Sequence, residues 1–320
     1  MDNQLTILSR LGFFLFFLTF LGCEKEIQLD IGEFQPKIVI NTFFQGGEPW
    51  EVHVCQSKNV LDPNPPSINL PNAIVRIKNL ETGTTFKLQY SAEGYFTNSN
   101  YKVEHGVAYE ITASHPGFNP VKAQAEAPLP INVTVIHSET LDFNGKVALK
   151  VDFEINDDAG SDNFYIYEIL NLIPNTPENL VGLSFLESPI KTWLSSVDGN
   201  TGYIDDSSEK QSKLFITDQT FRGSILNTSL VSFVEIQKNR SNSNAIIPDD
   251  FQYSPDFSQS RLKVTGASKE MYEYFKAVEL VIQKEILNSS ASTPIKPYSN
   301  IENGLGIFAG FSEIVIQIQE

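Results

Sequence analysis

The stretch best suited to hold an ion is Asn156-Asp157-Asp158-Ala159-Gly160-Ser161-Asp162-Asn163. Hard oxygens at short spacing around a glycine suit Ca²⁺, with Asp157, Asp158 and Asp162 as the carboxylates. The stretch lacks the spacing and trailing Glu of an EF-hand, so the competing reading is an inter-strand turn of solvated acids. Other chemistry is thinner. The four histidines are His53, His105, His115 and His137, and no HExxH pattern points to a zinc hydrolase. No G-x-S-x-G elbow is present. Gly304-Leu305-Gly306-Ile307-Phe308-Ala309-Gly310 is one residue too long for G-x-G-x-x-G. It also precedes a strand pattern, so no helix N-terminus awaits a phosphate. Its plainer reading is a turn that needs positive φ and close backbone approach. His53 and Cys55 share one face of the alternating Glu51–Cys55 stretch. A reactive thiolate needs electropositive neighbours, and a lone strand cysteine is otherwise a small hydrophobe. Trp50, Trp193 and Tyr203 could form a stacking platform for sugars, or they could be buried. No catalytic residue is assigned, and the chain is expected not to be an enzyme.

Cys23 has a clearer role. Leu11 to Gly22 is an apolar run about half the roughly 20 residues that a spanning helix needs. That is the length of a signal-peptide core. It ends Phe20-Leu21-Gly22-Cys23, which resembles a bacterial lipobox, with a small residue before the cysteine to be acylated. Residues 1–22 are therefore read as a lipoprotein signal peptide and Cys23 as the lipidation site. One acyl chain anchors only marginally, at about 0.8 kcal/mol per buried CH₂, so several chains on one cysteine are needed for a stable hold. Glu24, Glu26, Asp30 and Glu33 make 23–35 an acidic tether. The tether resembles surface-export tags of Bacteroidota-type lipoproteins, and a plain solvated linker is the other reading.

The bulk composition sets limits. With 320 residues, 41% hydrophobic and 19% charged, the chain has apolar surface for real cores. The 23 Phe and 11 Tyr against 2 Met lean towards strands. A net charge of −16 opposes nucleic-acid binding and a polybasic membrane patch. Two cysteines make no disulfide scaffold.

The elements that would position these residues are mostly strands. Strand patterns at 37–44, 49–55, 73–78, 85–90, 107–114 and 120–126 predict an immunoglobulin-like β-sandwich over 36–128. Ala73-x-Val75-x-Ile77, Thr82-Gly83 and Gly94-Tyr95-Phe96 look like small carboxypeptidase-regulatory-like modules. Pro128-Leu129-Pro130 marks a boundary. Beyond it, strand patterns at 132–139, 147–155, 164–170, 213–217 and 230–237 predict a second, larger β domain over 129–320. One long C-terminal helix is expected at about 268–287, capped by Ser268. Its stripe is Met271, Tyr274, Phe275, Val278, Val281, Ile282 and Ile286, suited to packing on a sheet. Its polar face is not basic, which disfavours a membrane role. Residues 313–319 close the chain as a strand.

Several motifs together resemble a bacterial lipoprotein family known as domain of unknown function 4249. They are Cys23-Glu24-Lys25-Glu26-Ile27, Glu93-Gly94-Tyr95-Phe96, Asp157–Gly160 with Asn163-Phe164-Tyr165, and Asp218-x-x-Phe221-x-Gly223. The helix around Tyr272-Glu273-Tyr274 and the segment from Pro297 to Phe308 complete the set, the last being the most specific. The resemblance implies a lipid-anchored outer-membrane protein, often encoded beside a TonB-dependent transporter. It supplies no catalytic residues and no cofactor. The expected function is a non-enzymatic binding or accessory component of such an uptake system. The alternative is a structural or adhesive surface lipoprotein with no small ligand.

Overall fold

Alternation of apolar and polar residues decides most of the architecture. Ile74–Asn79 exposes and buries successive side chains without a break, and Val121–Glu126 does the same. The computed structural model describes residues 34–59, 62, 67–143, 146–170, 190–196, 213–236, 257, 260–286 and 298–318. The expected signal peptide, Cys23, most of the tether and Tyr203 lie outside the described residues.

The first strands are β1 (Ile38–Gln45), β2 (Pro49–Gln56), β3 (Ile74–Asn79), β4 (Thr85–Lys87) and β5 (Gln89–Tyr90). Then come β6 (Tyr95–Lys102), β7 (Ala108–Ser114), β8 (Val121–Glu126), β9 (Asn132–Phe143), β10 (Lys146–Asn156) and β11 (Phe164–Leu170). After these are β12 (Ile190–Ser196), β13 (Leu214–Thr217), β14 (Ile225–Ile236) and β15 (Arg261–Ala267). Helix α1 (Lys269–Ile286) and β16 (Leu305–Gln317) close the described chain. The protein is mainly β, as expected, with one long C-terminal helix.

These strands make three sheets. The largest has eight strands in the order β13-β11-β15-β16-β1-β2-β6-β5. Two four-stranded sheets, β4-β3-β7-β8 and β12-β14-β10-β9, pack against its two ends. Side-chain parity along β16 shows the layering. Phe308 enters the core shared with β3, β7 and β8, while Ile314 and Ile316 enter the core shared with β9 and β10. Ile307, Ala309 and Phe311 point the other way and pack beneath α1. Both small sheets therefore cover one face of the large sheet, and the helix covers the opposite face.

Strands from before and after Pro128 thus share one sheet. The first half of β16 runs parallel to β1, from Val39↔Leu305 to Gln45↔Phe311. Its second half runs antiparallel to β15, from Ala267↔Phe311 to Arg261↔Gln317. The regions expected as separate domains are joined here by continuous backbone hydrogen bonding, and residues 36–320 form one compact unit. Cross-sheet pairing of this range leaves no signal in local sequence.

The glycine run at 304–310 belongs mostly to this shared strand rather than to a turn. Gly306 has φ +98°, and a Cβ there would lie 2.0 Å from the Ile40 carbonyl oxygen. At Gly310 a Cβ would meet the Glu126 carbonyl oxygen at 2.1 Å. The glycines let β16 slide between β1 and the end of β8.

Candidate functional site

The acidic loop between β10 and β11 does not gather its carboxylates at one point. Asp157 turns inward and is buried. Its carboxylate accepts the Tyr165 hydroxyl at 2.5 Å and the Gly223 N–H at 2.8 Å. Asp158 turns back on its own loop, accepting the Gly160 N–H at 3.3 Å. Asp162 pairs with Arg222, whose Nε also donates to buried Asp218 at 3.0 Å. Among the described residues no group of three acid, histidine or cysteine side chains is placed to hold a metal.

The loop is instead a two-stranded lock. The Asp218 N–H donates to the Asn163 carbonyl at 3.1 Å, and the Asp157 N–H donates to the Ser224 carbonyl at 3.2 Å. The Asn163 side-chain amide donates to the Asp158 carbonyl at 3.0 Å. Gly223 has φ +67°, and a Cβ there would sit 2.6 Å from the Ala159 Cβ. Burial, then the hydrogen bond to Asp157, pushes the Tyr165 hydroxyl far above its usual range, so it stays a proton donor. Arg222 was not among the residues singled out from sequence. Its spacing of four from Asp218 was the available signal.

A second set of motif residues closes the other small sheet. The Asn300 side chain donates to the Phe308 carbonyl at 2.7 Å and accepts the Phe308 N–H at 3.0 Å. The same amide nitrogen reaches the Gln124 carbonyl on β8 at 3.2 Å. One side chain thereby ties an edge strand of the small sheet to the shared strand, and a free edge is covered.

Beside the first lock lies a cleft of about 760 Å³. It is bounded by the first turns of α1, the 161–164 loop, Thr217, Gln219 and the 126–129 segment. Ser268 caps the helix by accepting the Met271 N–H at 3.3 Å. Tyr272 is held edge-on by Phe215 and packs on Phe164, with Lys276 over its ring at 5.5 Å. Carboxylates line the wall: Glu126, Asp162, Glu270 and Glu273, with Lys269 and Lys276 opposing them. Burial and the nearby Glu270 and Glu81 raise the Glu126 carboxyl above its ordinary value. The cleft offers hydroxyl, amide, carboxylate and ammonium groups around two aromatic rings, Phe164 and Tyr272, which suits a polar ligand.

The remaining candidates separate. Trp50 is buried in the first core, so it is no part of an exposed sugar platform. Its ring packs on Phe44, Tyr109 and Phe308, because its position in β2 faces the facing sheet. Trp193 lies in β12, with a side chain outside the described set. Cys55 is buried and burial raises its thiol, which leaves it a packing group. His53 packs on Tyr95, His105 contacts the Pro128 carbonyl and His115 packs on Phe118.

A family model described as Domain of unknown function (DUF4249) matches residues 24–315. The chain belongs to this family. In DUF4249 terms, the motif residues described above are mostly fold-holding: Asp157, Asn163, Asp218, Gly223 and Asn300 bond to backbone or to each other. No curated protein matches the chain. Among solved structures, 89% of it is similar to Salmonella alpha-2-macroglobulin at 9% identity and TM-score 0.24, spanning 15% of that chain. Escherichia coli alpha-2-macroglobulin activated by porcine elastase gives 10% identity and TM-score 0.20, with 89% of this chain on 20% of that one. A proposed carbohydrate-binding protein from Bacteroides uniformis gives 7% identity and TM-score 0.17, covering 88% of this chain and 99% of that one. Scores this low do not establish a shared fold.

Proposed function

We propose that this DUF4249 protein is a lipid-anchored, non-enzymatic binding or accessory component of a TonB-dependent outer-membrane uptake system. Two features support the address: the short apolar run ending at Gly22-Cys23, and the acidic residues that follow it. The observation that carries the binding role is the polar 760 Å³ cleft, built where the family's loop and helix motifs meet. Its lining can hold a polar ligand by several hydrogen bonds without a reacting centre. The first sandwich also supports an immunoglobulin-like module. The Tyr109 hydroxyl accepts the Glu104 N–H at 2.9 Å, which resembles the tyrosine corner of such folds.

A structural or adhesive surface protein is the second reading. It is favoured by the commitment of the motif side chains to the fold itself. Purification of the full chain in mild detergent separates the two. A co-purifying outer-membrane transporter is expected, and its loss on Tyr272→Ala or Glu273→Ala places the contact at the cleft. Repeated isolation without any transporter would favour the adhesive reading. Mass spectrometry of the mature N-terminus tests the anchor. An acylated Cys23 is expected, and an unmodified one, or one still preceded by residues 1–22, overturns the lipoprotein assignment.

A further inference from the structure

We propose that the outward face of the β4-β3-β7-β8 sheet is a second binding site, for an acidic polysaccharide. It lies apart from the cleft and does not depend on the role given to the cleft. Three cations occupy one cross-strand row. Arg76 on β3 stands directly opposite Lys87 on β4, and on its other side opposite Thr112 on β7, which in turn stands opposite Lys122 on β8. All three cations are exposed. With strands about 4.8 Å apart, Lys87 and Lys122 bracket roughly 14 Å. That span exceeds a single small anion and suits successive acidic groups on a polymer.

The charge pattern runs against the rest of the molecule. The chain carries 39 acids against 23 Lys and Arg. Sheet cations elsewhere hold carboxylates: Lys150 pairs with Glu139 and Asp152, and Lys263 with Glu168 and Glu313. Arg76 and Lys87 have no carboxylate partner among the described residues, and like charges directly opposite on neighbouring strands are unfavourable. The fold gains nothing from this pair, whereas an anionic ligand does. Lys122 meets one acid, Glu302, at 3.6 Å across an exposed gap. Glu110 lies in the next row of the same face, where it stands opposite Lys78, and Glu126 lies one row further on.

Beside the row is a hollow of about 370 Å³. Arg76, Lys122, Thr112, Ser114 and Asn303 supply polar groups around it, with Pro120 and Val121 as apolar lining, and the Glu302 carboxylate stands at its rim beside Lys122. The two hydroxyls have no hydrogen-bond partner among the described residues. A guanidinium, an ammonium and two hydroxyls fit a sulfate or carboxylate on a sugar ring. At physiological ionic strength the screening length is about 8 Å, so distant acids do not cancel the row. The row carries no aromatic side chain for base stacking, which favours a saccharide over single-stranded nucleic acid.

The test uses the full chain in detergent at low salt. The probes are dextran sulfate, unmodified dextran, inorganic sulfate and duplex DNA. Dextran sulfate is expected to bind and to weaken as salt rises. Arg76→Gln/Lys122→Gln should weaken it about tenfold or more, the size of one charge-assisted contact. The charge-matched control Lys37→Gln/Lys58→Gln, on exposed cations elsewhere, should stay within about twofold. Arg76→Gln alone should also raise the melting temperature of the free protein, because it removes the like-charge pair. No binding of dextran sulfate overturns the proposal. So does equal weakening by both double variants, or binding of dextran, sulfate or DNA as tight as that of dextran sulfate.

Discussion

The two sandwiches hang on the same sheet yet are held by different interactions. In the first, Phe44, Trp50, Tyr109 and Phe308 pack ring on ring with centroids 4.6–6.3 Å apart, inside a cluster of aliphatic side chains. The second also has an apolar core, but polar groups enter it. Among the described residues the first core leaves one buried polar atom unpaired, Trp50 Nε1, whereas the second leaves the hydroxyls of Tyr167, Ser232 and Ser260 unpaired and also holds Asp157, buried within the lock. On the helix-bearing face of that end, Glu168 holds both Lys213 and Lys263, and Lys263 reaches Glu313. The contrast predicts a weaker response to pH and salt at the first end than at the second, where paired, partly buried charges hold neighbouring strands. Burial of apolar area neither titrates nor is screened by salt, whereas paired charges titrate and are screened.

The sharpest challenge to this contrast is removal of the central ring. Trp50→Ala should cost about 3–5 kcal/mol, the range for deleting a buried aromatic side chain. Urea unfolding should show the same loss at pH 5 and pH 8. A loss that changes with pH would mean that charge contributes to the first end after all.

Next in size is the lock. Asp157→Ala leaves the Tyr165 hydroxyl and the Gly223 N–H without their acceptor. Each stranded donor costs about 1–3 kcal/mol, so a total of roughly 2–6 kcal/mol is expected from urea unfolding. Tyr165→Phe alone should cost less, because Asp157 keeps its bond from Gly223. A loss below about 0.5 kcal/mol for Asp157→Ala would mean that water replaces the lock.

How much of this was legible in the sequence depends on the range of the signal. Strands β3 and β8 alternate over their whole length, and β10 from Leu149 to Ile155, and these patterns are legible directly. Strand β15 was missed because only Arg261–Val264 alternate, while Thr265, Gly266 and Ala267 are all buried under α1 and the neighbouring strands. The acids at 157–162 were legible as a cluster, but not the directions of their side chains. Those are set by Gly223 and Arg222, some sixty residues on. The shared strand was legible only in part. Ile314 and Ile316 gave its second half, whereas the parallel pairing of Leu305–Phe311 with β1 joins segments from opposite ends of the chain.

Acid should act on the second end first. Burial works to raise the Glu168 carboxyl, but its bonds to Lys213 and Lys263 outweigh this and hold it below its ordinary value. A carboxylate lowered in the folded state stabilises the fold above the unfolded value. That contribution is lost as the pH falls through the folded value. Thermal unfolding between about pH 3 and pH 7 should therefore show Glu168→Gln less stable than the parent near neutrality and equal to it at the acid limit. A constant gap across the range would assign the loss to packing rather than charge.

The smallest effect is expected from a charge pair on the first sandwich, Lys122 and Glu302. The two lie 3.6 Å apart with side chains 47% and 63% exposed. Pairs in such surroundings gain about 0–1 kcal/mol, since water already solvates both partners. The backbone contact between the two segments does not need either side chain, because the Glu302 N–H donates to the Lys122 carbonyl at 2.8 Å. A double-mutant cycle of Lys122→Ala and Glu302→Ala should thus give a coupling below about 0.5 kcal/mol. The equivalent cycle on Lys263 and Glu168, whose carboxylate is only 16% exposed, should give the larger value. Equal couplings would erase the distinction between the two ends, since both would then draw on charge in the same measure.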